Sequence, residues 1–321
     1  MPVKEIRPEQ LDAAKFIEEK IAEIRKIVVG GEAINALSGG VDSSVVTLLA
    51  HRALGDRLRT VFVQNGLMRS REPEYVVSVF EKLGVKVELV EAEDVFFSEL
   101  AGLTDPEQKR EAITRAFYKR VFGDIVRQSK ARFLFHGTNL TDVEETVAGV
   151  KRQHNILAQL GIDPEKEYGY RVIEPLLQLR KTGVRVVGKA LGLPRELYDR
   201  PPFPGPALAC RVIGTVTRER VEKVRKATAL VEEAFRDTGA FQYLAVLHQD
   251  MVTGVRDGKR DFGQQIEVRC WESRDAVVAT PSRVTIDKLE DLARRITTEV
   301  PGVVSVTYNV TPKPPSTIEV I

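Results

Sequence analysis

Apolar positions in the first half of the chain fall into two alternating patterns. Short apolar or alternating runs predict strands at Glu32 to Leu37, Leu58 to Val63, Val85 to Val90 and Arg132 to Gly137. The stretches between them carry helical spacing. Val45 to Ala50 predicts a helix directly after the first strand. Pro73 to Lys82 presents Val76, Val77, Val79, Phe80 and Leu83 on an apolar face, and a long helical stretch runs from Pro106 to about Lys130. Strands separated by helices of this length predict an α/β fold, a doubly wound parallel sheet with helices on both faces. Ligands of such sheets sit at the carboxyl ends of the strands.

The alternation stops near Leu193-Pro194. The segment Asp199 to Pro206, with prolines at 201, 202, 204 and 206, suits neither helix nor central strand and predicts a rigid connector. Beyond it the order changes. Helices are expected at Thr217 to Arg236 and Thr285 to Glu299. Strands are expected at Tyr243 to Leu247, Gln265 to Trp271, Val303 to Tyr308 and Thr317 to Ile321. Arg256 to Asp261 predicts a hairpin turn, not a nucleic-acid patch. The expected organisation is a domain over residues 1–198 and a smaller α+β domain over residues 199–321. The exposed edge of a last strand invites pairing between two copies, so a homodimer is expected.

Composition narrows the class. The 321 residues suffice for two domains, and 43% hydrophobic with 29% charged residues is ordinary for a globular enzyme. A net charge of +2 gives no case for nucleic-acid or membrane binding. The charged N-terminus shows no leader-like apolar region, and no apolar stretch reaches membrane-spanning length, so a cytoplasmic location is expected. Cys210 and Cys270 form no CxxC pair.

The chemistry concentrates in Ser38-Gly39-Gly40-Val41-Asp42-Ser43-Ser44, between a strand and a helix. Such a turn gathers backbone N–H groups at a helix N-terminus, where unpaired donors and the helix dipole both favour phosphate. It lacks the Lys of a Walker A loop. SGGVDSS resembles the pyrophosphate loop of ATP pyrophosphatases, which adenylate a substrate oxygen and let a nucleophile displace AMP. Asp142, with Glu144 and Glu145 beside it, offers carboxylates that suit Mg²⁺ held jointly with phosphates.

Further motifs follow in one order: Val63-Gln64-Asn65-Gly66-Leu67-Met68-Arg69, Gly137-Thr138, Lys151 with His154-Asn155, Glu174-Pro175-Leu176, Pro202 to Pro206, and Lys313-Pro314-Pro315-Ser316-Thr317-Ile318-Glu319. Together they resemble the ATP-pyrophosphatase and dimerisation domains of the GMP synthetase family over nearly the whole chain. The resemblance implies a first domain of the adenine nucleotide alpha hydrolase type, ATP as a substrate, and Mg²⁺. It implies adenylation of XMP and displacement of AMP by ammonia, with a separate glutamine amidotransferase chain supplying that ammonia. By position it assigns Ser38, Gly39, Gly40, Asp42, Ser43, Ser44, Val63 and Gly137 to ATP. It assigns Arg211, Gln242, Lys313, Thr317, Ile318 and Glu319 to the nucleotide substrate, Asp42 and Asp142 to the metal, and Asp42, Lys151 and His154 to catalysis.

Some positions depart from that pattern. Gln64 stands where the family has Asp, Thr182-Gly183 where it has Asp-Glu, Gln153 and Pro202 where it has His, Ala207 where it has Gly, and Val320-Ile321 where it has Trp-Glu. Two alternatives therefore stay open from sequence. One is a related enzyme that adenylates another substrate for amination or for sulfur transfer through Cys210. The other is a nucleotide-binding protein without catalysis.

Overall fold

The computed structural model describes residues 4–147, 170–201, 203–274 and 276–320, with the backbone alone for 144–147. The chain divides into two compact units. The first comprises residues up to Gln64, Glu72–Ala92 and Thr114–Arg200. The second comprises Asn65–Arg71, Glu93–Ile113 and Pro201 onward.

In the first unit, α1 (Ala13–Ile27), β1 (Glu32–Ala36), α2 (Val41–Leu54), β2 (Leu58–Gln64), α3 (Glu72–Lys82) and β3 (Val87–Glu91) follow in turn. The helical stretch read from Pro106 comprises α5 (Pro106–Arg115), a π-turn (Ala116–Val121) and α6 (Phe122–Gln128); α4 (Glu93–Leu100) precedes it. Next come β4 (Ala131–Phe135), α7 (Leu140–Val147), β5 (Arg171–Ile173), α8 (Lys181–Ala190) and α9 (Arg195–Tyr198). All sheet pairings are parallel, in the order β3-β2-β1-β4-β5. The chain leaves β1 toward β2 and later returns to β4 on the other side. The carboxyl ends of β1 and β4 therefore flank the switch point where such sheets bind ligands. Most of α2 is covered: Ser44 through Ala50, with Ala53 and Leu54, are buried, and Val45, Leu49 and Ala50 fully so, while Arg52 stays exposed.

A polar ladder crosses this core. Asn35 on β1 donates to Thr47 Oγ1 at 2.6 Å and accepts from Thr60 Oγ1 at 2.9 Å, and Thr47 in turn donates to the Ser43 carbonyl at 2.7 Å. Every member is satisfied, so the ladder costs little and fixes the first turn of α2 against the sheet.

The second unit holds α4 and the start of α5, a 3₁₀ turn (Ala207–Arg211), α10 (Arg218–Phe235), β6 (Gln242–Arg256), β7 (Lys259–Ser273), β8 (Ala279–Pro281), α11 (Ile286–Glu299) and β9 (Val303–Tyr308). β7 is the centre of its sheet. It pairs antiparallel with β6 and β8 and parallel with β9. The hairpin read at Arg256 to Asp261 is present, with Asp257 (φ 50) and Gly258 (φ 72) forming the left-handed pair that two-residue turns require. Its two strands continue past the sheet as an arm, because β6 and β7 are each 15 residues long, not the five to seven read from sequence. Segments 65–71 and 93–113 are bound into this unit by hydrogen bonds. Arg225 donates to the carbonyls of Met68 (2.9 Å) and Gly66 (2.6 Å), Leu208 N–H to Leu67 (2.9 Å), and Lys109 Nζ to Val212 (2.9 Å).

One element differs in kind. The expected strand at Thr317 to Ile321 is an irregular tail through its described residues. Pro314 and Pro315 offer no N–H to a ladder. The carbonyls of Thr317 and Ile318 accept from the Arg269 side chain, not from a neighbouring strand.

Candidate functional site

In the first unit, the segment Ser38–Gly40 links β1 to α2. Gly39 takes φ +75, and an added methyl group would lie 2.9 Å from Val76 Cγ2, so both backbone freedom and closeness demand glycine there. The hydroxyls brace the turn. Ser43 Oγ accepts from Ser38 N–H at 3.2 Å and donates to the Gly40 carbonyl at 3.0 Å, while Gly40 N–H reaches Ser38 Oγ at 3.3 Å. The first intrahelical bond runs from Ser44 N–H to the Gly40 carbonyl. The N–H groups of Val41, Asp42 and Ser43 thus have no intrahelical acceptor, and the dipole makes their end of α2 an anion receptor. Ser44 is different. Its N–H is spent within the helix, and its hydroxyl is fully buried without a partner among the described residues, so this conformation turns both away from the loop opening.

The segment after β4 approaches the same helix end. A methyl added at Gly137 would stand 3.2 Å from both Asp42 Cβ and the Ser43 nitrogen. Asn139 joins the two candidate metal ligands: its Nδ2 donates to Asp42 Oδ1 at 3.3 Å, and its Oδ1 accepts from Asp142 N–H at 3.3 Å. Asp142 Oδ2 accepts from Asn139 N–H at 3.1 Å, a reciprocal cap on α7. Lys181, at the start of α8, donates to Asp42 Oδ2. Asp42 follows β1 and Asp142 follows β4; their hard oxygens suit Mg²⁺ only when it is shared with phosphates, since among the described residues no group of three His, Cys, Asp or Glu could hold a metal ion by itself. Beside them, His136 Nδ1 lies 2.7 Å from Thr138 Oγ1, which donates to Glu174 Oε1 at 2.5 Å. With that hydroxyl donating to Glu174, its oxygen is left to accept from Nδ1 in the tautomer that carries the proton there. The Tyr118 hydroxyl, carried by the π-turn, lies 3.5 Å from Nε2, and burial pushes its pKa up to about 12. Val63 is buried one residue before the end of β2.

In the second unit, three of the candidate substrate residues meet. Arg211 is fully buried and grips Glu319 with two parallel bonds, Nε to Oε2 at 3.2 Å and Nη2 to Oε1 at 2.9 Å. Gln242 Nε2 donates to Glu319 Oε1 at 2.6 Å. Arg211 Nη1 is buried and has no partner among the described residues, leaving a donor for an incoming oxygen. Two guanidiniums lie over the Phe203 ring, Arg69 at 3.9 Å and Arg211 at 5.0 Å from its centroid. The Thr317 hydroxyl donates to the Glu319 carbonyl, and Ile318 is buried in an apolar cluster with Leu244, Val246, Trp271 and Ala279. Lys313 has other partners: its Nζ donates to the Ala276 carbonyl at 2.7 Å and its backbone pairs with Ala279. Lys151 and His154 lie outside the described residues. Burial, with Glu319 adding to it, pushes the Cys210 thiol up to about 12 despite Arg110, Arg211 and Lys109 nearby. A buried thiol of that kind is no nucleophile, which leaves sulfur transfer through Cys210 without structural support.

The profile of the GMP synthase C-terminal domain matches residues 230–320, and that of NAD synthase matches residues 11–135. The chain is 47% identical over 309 residues to the B subunit of the glutamine-hydrolyzing GMP synthase of Archaeoglobus fulgidus, covering 96% of this chain and 99% of that one. Its counterpart in Thermococcus kodakarensis is 47% identical over 307 residues (95% and 98%), and that in Pyrococcus furiosus 46% over 308 residues (95% and 96%). The chain belongs to the family of GMP synthase B subunits.

Within that family the departures acquire physical content. Gly183 on α8 is buried, and a Cβ there would stand 3.3 Å from Leu179 Cδ2, a tight contact that a larger side chain would relieve only by moving that leucine. Ala207 is buried and holds φ 54, the left-handed conformation that glycine adopts without cost. Gln64 ends β2, and its carbonyl accepts from Ala92 N–H. Sequence reasoning missed the roles of Asn139, of Lys181, of the Glu72–Arg200 pair beside Gly39 (2.5 Å) and of the His136–Thr138–Glu174 chain. Nearly all of these are pairings between residues far apart in the chain. The Gly137-Thr138-Asn139 segment at a predicted strand end was the available signal.

Proposed function

We infer that this chain is the ATP-dependent synthetase of a GMP synthase. The 2-oxygen of XMP attacks the α-phosphorus of ATP, the bond to the β-phosphate oxygen breaks, and pyrophosphate leaves. Ammonia then attacks C2 of the adenylated base, the carbon–oxygen bond breaks, AMP departs and GMP is left after loss of a proton. The observation that carries this reading is the match to GMP synthase B subunits along nearly their whole length.

The residues support named roles. The free N–H groups of Val41, Asp42 and Ser43 hold the leaving phosphates. Asp42 and Asp142 hold Mg²⁺, which supplies charge neutralisation on those phosphates. Lys181 fixes the Asp42 carboxylate. Arg211, Gln242 and Glu319 recognise the nucleotide substrate, with Lys313 and the Thr317 hydroxyl completing a receptor for its 5′-phosphate. Lys151 and His154 are assigned to the phosphates by resemblance. An ATP-pyrophosphatase domain over 1–198 and a substrate and dimerisation domain over 199–321 complete the assignment.

The test is direct. Incubation with ATP, Mg²⁺, ammonium and a nucleotide panel should release AMP with XMP and not with the other nucleotides. Ammonium should support turnover by this chain alone, and glutamine should not, because a separate glutamine-hydrolysing subunit supplies the ammonia. AMP release independent of XMP would overturn the substrate assignment.

A homodimer belongs to the same proposal. The support is no longer a terminal strand but the β6–β7 arm. Met251, Val255 and Phe262 are 60%, 77% and 57% exposed, and strand pairing puts them on one face. The other face is covered by Val304 against Gly254 and Gly263. A second copy burying this face satisfies the arm, which two strands alone barely support. Sedimentation at micromolar concentration should give twice the monomer mass, and Phe262→Asp should return it to monomer. A wild-type monomer, or a dimer untouched by Phe262→Asp, would count against this surface.

A further inference from the structure

The tail that carries Thr317, Ile318 and Glu319 has no strand to hold it among the described residues, yet three candidate substrate residues depend on where it lies. Its two consecutive carbonyls, Thr317 and Ile318, both accept from Arg269 Nη1, at 2.7 and 3.2 Å. Arg269 projects from β7, is 6% exposed, and is itself fixed: its Nε donates to Glu267 Oε1 at 2.6 Å. Glu267 is fixed in turn by Asn309 Nδ2 on Oε1 at 2.8 Å and His248 Nε2 on Oε2 at 2.9 Å. Burial alone would raise this carboxyl. The hydrogen bonds from His248 and Asn309 and the neighbouring Arg269 outweigh it and hold Glu267 down at about 2.

We propose that Arg269, held by Glu267, is a positioning residue for the nucleotide substrate: it seats the tail so that Glu319 meets Arg211 and Gln242. This rests on the XMP reading given above. Residues 317 and 318, between the Lys313 bridge and Glu319, are held by two contacts of different chemistry. Arg269 takes the carbonyls of 317 and 318, and the Ile318 side chain enters the cluster with Trp271 and Leu244. Neither anchor alone fixes the rotation that aims Glu319, because one constrains the backbone and the other a single side chain. The planar fork of arginine suits this role, since one edge reaches a carboxylate while another nitrogen reaches two carbonyls. Lysine carries the same charge without that fork, so it can satisfy the carboxylate or the tail but not both in this geometry.

The experiment compares wild type, Arg269→Lys and Glu267→Gln, with Val224→Ala as a control that thins the fully buried core of the same unit at α10. XMP and ATP affinities are measured separately by calorimetry, together with kcat, KM and melting temperature. Arg269→Lys should weaken XMP binding at least tenfold and raise KM for XMP, while ATP affinity stays within twofold. Glu267→Gln should fall between it and wild type. Val224→Ala should lower the melting temperature and leave XMP affinity unchanged. Trp271, the sole tryptophan, should shift its emission to the red in Arg269→Lys even without nucleotide, as Ile318 loosens from it. Wild-type XMP affinity in Arg269→Lys, or a parallel loss of XMP and ATP binding matching that of Val224→Ala, would overturn the proposal. A wild type that binds no XMP would overturn the functional reading beneath it instead.

Discussion

Asp42→Ala should reduce AMP release from ATP by a hundredfold or more and leave the melting curve nearly unchanged. The carboxylate is half-buried at the loop, outside the apolar core, so its loss opens no cavity. It accepts from Asn139 and Lys181 on its two oxygens. Removing it frees the ammonium of Lys181, unties Asn139 and deletes one of two carboxylates assigned to Mg²⁺. Loss of one charge-stabilising group aimed at a reacting centre typically costs about 10²–10³ in rate. Ser43→Ala should cost less, on the order of tenfold, because it breaks a brace of the turn and not a charge. AMP release is followed with ATP, Mg²⁺, XMP and ammonium, and the fold by circular dichroism. Unchanged turnover in both variants would remove the loop from the mechanism.

The Arg211–Glu319 pair predicts a second large effect, in which stability and activity part company. Arg211 is fully buried, and Glu319 is its carboxylate partner through both bonds. Glu319→Leu leaves that guanidinium unpaired in the interior, which costs roughly 3–5 kcal/mol. In a unit of this size that lowers the melting temperature by on the order of 10 °C. Arg211→Met alone also destabilises, by stranding Glu319 and Gln242. The double variant Arg211→Met/Glu319→Leu removes both charges together and should recover most of the lost stability, because an apolar pair of similar volume often replaces a buried ion pair without loss. GMP formation should stay absent in all three. A double variant as unstable as the sum of its singles would show that the two side chains do not couple.

The parts legible in sequence are those set by neighbours in the chain. SGGVDSS announced its turn because Gly39 needs φ +75 and the helix begins two residues on. Asp257-Gly258 announced its hairpin because that turn demands two left-handed residues. The parallel sheet followed from the spacing of its strands. What was not legible depends on distant partners. Thr317 to Ile321 has the composition of a strand, but Arg269, some 48 residues away, claims its carbonyls. Ser44 sits in the motif, yet its hydroxyl points inward because the helix phase puts it there. The outer halves of β6 and β7 are exposed and mixed in polarity, so no periodic apolar signal marked them.

Ala207 holds a conformation that its side chain does not favour. An L-residue other than glycine in left-handed backbone stores about 1–2 kcal/mol, and here that strain lies buried four residues before Arg211. The turn takes a shape that suits glycine, although alanine occupies it. The surrounding fold therefore over-determines this turn. The path of the main chain into Arg211 is imposed by its neighbours, and the residue at 207 is carried along with it.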